Sequence, residues 1–87
     1  QDLTIDAEAG PTQYRFAVQG AGRGEVDRFS QALARTLRDA PEVRNAVSDV
    51  QTQGKAIYIS VDRDAAARVG VTAAAVDAAL YDAFGQR

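Results

Sequence analysis

Carboxylates, cationic side chains and hydroxyls are the only groups in this sequence that could do chemistry, because it contains neither histidine nor cysteine. That removes the imidazole base, the thiolate nucleophile and every nitrogen or sulfur metal ligand. Carboxylate acid–base work remains, and Asp62-Arg63-Asp64 is the nearest candidate. The same three residues also read as a helix start, with Asp62 as N-cap, Asp64 as first-turn charge and Arg63 solvated between them. Asp77 and Asp82 are five apart, so on a helix they project from different faces and make no carboxylate pair. Gly20-Ala21-Gly22-Arg23-Gly24 looks superficially like a phosphate loop. It lacks the third glycine at the dinucleotide spacing and the Lys-Ser/Thr of a P-loop, and reads as a flexible strand-to-helix turn. Ser30, Ser48 and Ser60 have no base partner. The expectation is a chain that is not an enzyme and takes no cofactor and no metal.

Two features are less bland. Tyr14, Phe16 and Val18 alternate with Arg15, Ala17 and Gln19. Such an aromatic stripe either faces the core or lines a ligand path. The ending Leu80-Tyr81-Asp82-Ala83-Phe84-Gly85-Gln86-Arg87 is either an ordinary helix end or a sticky terminus whose packing partners lie elsewhere.

The composition bounds the rest. Ten basic and twelve acidic residues give a net charge of −2. With no basic block to release counterions from phosphates, nucleic acid is not an expected partner. At 46% hydrophobic and 25% charged the 87 residues read as one small globular unit. Alanine supplies much of the apolar share, so the core is thin. No apolar run nears the roughly 18–20 residues that span a bilayer, and the polar, acidic start is no signal peptide. The missing Met at position 1 and the abrupt end point to an excised fragment.

Periodicity supplies the elements that would position these side chains. Residues 1–12 form a polar lead-in whose Leu3-Thr4-Ile5 run is either an edge strand or a linker, ending at Gly10-Pro11. A strand follows at Tyr14–Val18. From Glu25 to Ala40 one helical stripe carries Val26, Phe29, Leu33, Leu37 and Ala40, and Pro41 stops it. Val43 to Gln51 reads as the next strand, Thr52-Gln53-Gly54 as a turn, and Ile57, Ile59 and Val61 as the return of a hairpin. Asp62 starts a short helix over 63–69, with Gly70 as its left-handed end. Thr72 caps a last helix, with Val71 and Val76 as a hydrophobic staple. That helix buries Val76, Ala79, Leu80 and Ala83 or Phe84, and Gly85 ends it. The order (β)βαββαα defines an α+β fold, a small sheet of three to four strands with helices on one face.

The run from Tyr58 to Val71 (YISVDRDAAARVGV) resembles a segment of the acriflavine-resistance family of RND multidrug transporters. There a strand ends in a similar Asp-Arg-acid-Ala run closing on Gly-Val. The stretch Asp77 to Arg87 is similar to the helix that follows it. Gln13-Tyr14-Arg15-Phe16, Ala40-Pro41-Glu42-Val43 and Val47-Ser48-Asp49 also look like the family. The likeness covers essentially the whole chain, in order, and the Tyr-Asp-Ala-Phe-Gly-Gln-Arg ending looks most like the heteromeric-pump branch.

The resemblance implies a periplasmic fragment of an inner-membrane, proton-driven trimer, part of a ferredoxin-like porter subdomain. It divides the chain into a lead-in (1–12), a porter βαβ (13–54) and a strand with helices leading into the docking region (55–87). Implied partners are the rest of the transporter and its trimer mates, a periplasmic adaptor, an outer-membrane channel and amphiphilic drugs. The family's proton-carrying residues lie in membrane helices absent from these 87 residues. Implied substrate-path residues are Tyr14, Phe16 and Val18, with Ser48 where some members carry an arginine. Isolated, the fragment is expected to pair through exposed strand edges, for instance as a dimer. The rival reading is a free-standing α+β module that senses a ligand or regulates a partner.

Overall fold

Alternation of apolar and polar residues lays two strands side by side in the middle of one sheet. The structure, a computed structural model, describes residues 4–20 and 22–83, with Arg23 described in its backbone alone. Strand β2 (Gln13–Gln19) and strand β4 (Ala56–Asp62) pair antiparallel over their full lengths, Phe16 facing Ile59 and Val18 facing Ile57. β1 (Thr4–Ala9) adds antiparallel to β2, and β3 (Val47–Gln53) adds antiparallel to β4. The order is β1-β2-β4-β3, with β1 and β3 as the edges. β2 and β3 therefore run parallel with β4 between them, the split βαβ arrangement.

Directly opposed residues share a face of an antiparallel pair. Tyr14, Phe16 and Val18 thus stand on one face with Ile57, Ile59 and Val61 of β4 and with Ile5, Ala7 and Ala9 of β1. Helices cover this face. α1 (Arg23–Asp39) brings Val26, Phe29 and Leu33, all buried, and α4 (Ala73–Ala83) brings Val76 and Leu80. Ala46 and Ala66 complete the cluster from the short helices α2 (Pro41–Ala46) and α3 (Arg63–Arg68). Each large aliphatic or aromatic side chain sealed here contributes about 1.5–3 kcal/mol relative to exposure. The other sheet face, with Asp6, Glu8, Arg15, Ala17, Tyr58 and Ser60, carries no helix among the described residues.

The helix ends follow their local chemistry. The Gly22 N–H donates to the Glu25 carboxylate at 3.3 Å, three residues into α1. Asp62 Oδ1 accepts from the Ala65 N–H at 2.9 Å and Thr72 Oγ1 from the Ala75 N–H at 3.0 Å, as the sequence predicts. Gly70 sits at φ +74° directly after α3, the left-handed position expected of it. Val71 packs against the core cluster that contains Val76.

The structure moves the α2–β3 boundary and the hairpin turn from their expected places and decides the alternative left open at the lead-in. Pro41 does end α1, but it also opens α2, so the chain is helical to Ala46 and the strand begins at Val47 rather than Val43. Proline suits the first turn of a helix, where its missing N–H has no partner to lose. Val43, Ala46 and Val47 are spaced three and one apart, and Ala46 is sealed in the core. The turn of the β3–β4 hairpin is Gly54-Lys55 rather than Thr52–Gly54, since Thr52 and Gln53 still pair with Ile57 and Ala56. Gly54 supplies the left-handed φ of +59° that the two-residue connection needs. The lead-in is an edge strand, not a linker, from Thr4 to Ala9. The expectations placed on Leu3, Ala21, Phe84 and Gly85 lie outside the described residues.

Candidate functional site

Arg63 ties three elements together. Its guanidinium lies over the Tyr14 ring at 4.9 Å and its Nη1 donates to the carbonyl of Gly10. Its backbone N–H donates to the Thr12 carbonyl at 3.1 Å. The start of α3 is thereby fastened to the β1–β2 turn and to the first aromatic of β2. The sequence reading left Arg63 solvated. It is half-buried, because Asp62 across from Gln13 brings the next residue beside the turn. Asp62 itself is used as a cap, and no group of three or more Asp or Glu residues able to hold a metal occurs among the described residues.

The four sequence-nominated path residues do not form one cluster. Phe16 and Val18 are each 2% exposed and belong to the core. Tyr14, nearest the β1–β2 turn, is half-buried. Ser48 lies two strands away on the β3 edge, exposed, with its hydroxyl donating to the Ser60 carbonyl at 3.2 Å. The ladder is irregular there, the register shifting between Val47 and Asp49.

A groove of about 270 Å³ opens between β1 and the first turn of α4, walled by Ala7, Ala9, Tyr14, Phe16, Ala73 and Ala74. Glu8 and Asp77 also line it, and no basic residue does. It exists because the β1 side of the helix-covered face carries alanines that leave the space open. A second hollow of about 290 Å³ lies on the opposite face, over Ala17 and between Tyr58 and the acids Asp6 and Glu8. Sequence reasoning missed Ala7, Ala9, Ala73 and Ala74. Their only signal was the alternation Ile5-Ala7-Ala9 against Asp6-Glu8.

The model of the AcrB/AcrD/AcrF family matches this chain over residues 1–87. The chain belongs to that family, and is a segment of an RND-family efflux transporter. No solved structure gives a significant match. Among the described residues no helix is long and apolar enough to cross a membrane.

Proposed function

We propose that these residues are a periplasmic subdomain of a proton-driven multidrug pump, of the branch built from two different subunits, contributing to the substrate path and to subunit contacts. The observation that carries this reading is the family match along the whole of 1–87. In it the chain performs no catalysis, and proton coupling belongs to membrane helices elsewhere in an inner-membrane trimer. The trimer mates, a periplasmic adaptor and an outer-membrane channel are the protein partners, and amphiphilic drugs the cargo. The division into lead-in (1–12), porter βαβ (13–54) and docking approach (55–87) belongs to the same proposal.

Among the four path residues, support is best for Tyr14, half-buried beside the alanine groove, with Phe16 behind it in the core. An apolar wall with few polar groups suits varied amphiphiles. Val18, sealed under the helices, would act by holding the wall rigid, and Ser48 would meet cargo only from the β3 edge.

The test is made in the complete transporter, expressed in a bacterium lacking its own pumps, by following accumulation of a fluorescent cationic amphiphile. Tyr14→Ala should raise steady-state accumulation at equal transporter abundance, while Gln51→Ala, on the exposed far strand, should not. Equal accumulation in the Tyr14 variant and the unaltered transporter would remove Tyr14 from the path. No pumping by the unaltered transporter for any amphiphile would sink the reading itself.

A further inference from the structure

We infer that the β1 edge accepts a fifth strand, and that its partner is an extended segment in which apolar and basic residues alternate. An edge strand presents a row of unpaired backbone N–H and C=O groups, which a protein ordinarily blunts with a bulge, a proline or charged side chains. The two edges differ in this respect. β3 is irregular at Ser48, its register shifting between Val47 and Asp49. β1 pairs with β2 in six consecutive steps without a shift, and Thr-Ile-Asp-Ala-Glu-Ala contains neither proline nor lysine. β1 is therefore the regular edge, guarded only by the negative charges of Asp6 and Glu8, which a basic partner would neutralise.

What lies on each side of that edge defines the guest. On the helix side is the groove under α4, walled by the alanines of β1 and α4 and by Tyr14 and Phe16. On the other side stand Asp6 and Glu8, both exposed, with Arg15 opposite Glu8 and uncharged Ala17 opposite Asp6. Side chains of an added strand alternate between these two sides. One set would enter the apolar groove, where bulky aliphatic groups fill space the alanines leave. The other would stand beside the two carboxylates, where Lys or Arg is favoured and Asp or Glu is not. Backbone pairing provides the adhesion and the two flanks the selectivity, the mode known as strand addition.

The same charges argue against a second copy of this chain. In an antiparallel β1–β1 pairing that keeps Ile5, Ala7 and Ala9 on the groove side, Thr4, Asp6 and Glu8 face one another across the junction. Carboxylates directly opposed across strands are destabilising.

The probe is an acetylated, fluorescein-labelled peptide of eight residues alternating valine and arginine, titrated against the 87-residue chain by anisotropy, with amide shifts read by NMR. Saturable binding is expected, with shifts and slowed hydrogen exchange concentrated in Thr4–Ala9 and in Ala73 and Ala74. The valine–glutamate peptide should bind at least tenfold more weakly. So should a valine–arginine peptide N-methylated along one edge, which keeps the charge and loses the pairing. A chain carrying both Asp6→Lys and Glu8→Lys, positions exposed enough to leave the fold intact, should reverse the preference between the two charged peptides. Four outcomes overturn the proposal: no binding of the valine–arginine peptide, equal binding of the N-methylated form, shifts centred on β3, or a chain already dimerised through β1.

Discussion

Replacing Arg63 by Met keeps the aliphatic stem and removes the guanidinium, so it isolates what the charge does at the β1–β2 turn. Two interactions are lost, the stacking on Tyr14 at 4.9 Å and the bond to the Gly10 carbonyl. A cation over a partly exposed ring is worth about 0.5–1 kcal/mol. A charge-assisted bond that water can also reach falls at the low end of its range, about 1–1.5 kcal/mol. The sum is about 2 kcal/mol, which in a domain of this size lowers Tm by about 8–16 °C. The backbone bond from Arg63 to the Thr12 carbonyl survives the substitution, so the turn should loosen rather than detach. Thermal unfolding followed by circular dichroism on Arg63→Met, Tyr14→Leu and the double variant gives a cycle. Coupling of about 0.5–1 kcal/mol between the two positions is expected. Additivity within about 0.3 kcal/mol, or an Arg63→Met chain as stable as the original, would refute the stacking argument.

Three further outcomes can be read from unfolding curves. Gly70→Ala should cost about 1 kcal/mol and Gly70→Asn less, because the added Cβ meets nothing within 4 Å and only the left-handed φ resists it; equal stability of all three would contradict this. Asp62→Ala and Thr72→Ala should each cost about 1 kcal/mol, with Thr72→Ser close to neutral, since the caps act through one oxygen. Phe16→Ala should cost about 3–5 kcal/mol, enough to unfold much of the population, whereas Val50→Ala at 45% exposure should change stability by less than about 0.5 kcal/mol.

The elements legible in the sequence are those whose signals are local. The 3.6-residue stripe of Val26, Phe29, Leu33 and Leu37 gave α1, and Asp62, Gly70 and Thr72 gave helix ends through bonds within three residues or a single φ. α2 is hard to separate in sequence from the strand that follows, because its Val43 and Ala46 span barely a turn before β3 begins at Val47. β1 stayed ambiguous because Ala7 and Ala9 are weakly apolar, so its period of two is faint until Val18, Phe16 and Tyr14 stand opposite it. The aromatic stripe was visible, but not which way it faced. That is fixed by helices arriving from residues 23–39 and 73–83. The groove left only the faint Ile5-Ala7-Ala9 alternation as a sequence signal, since it is a space left between β1 and α4 by residues more than sixty positions apart. Arg63 looked like a solvated first-turn residue because its partners, Gly10 and Tyr14, are about fifty positions upstream.

The claim that this chain is a transporter segment is tested most directly by reading the coding DNA on both sides of it. The account predicts an open reading frame that continues in each direction and reaches apolar spans of roughly 20 residues, long enough to cross a bilayer. A start codon just before Gln1 and a stop codon just after Arg87 would contradict it, and would favour a free-standing α+β module.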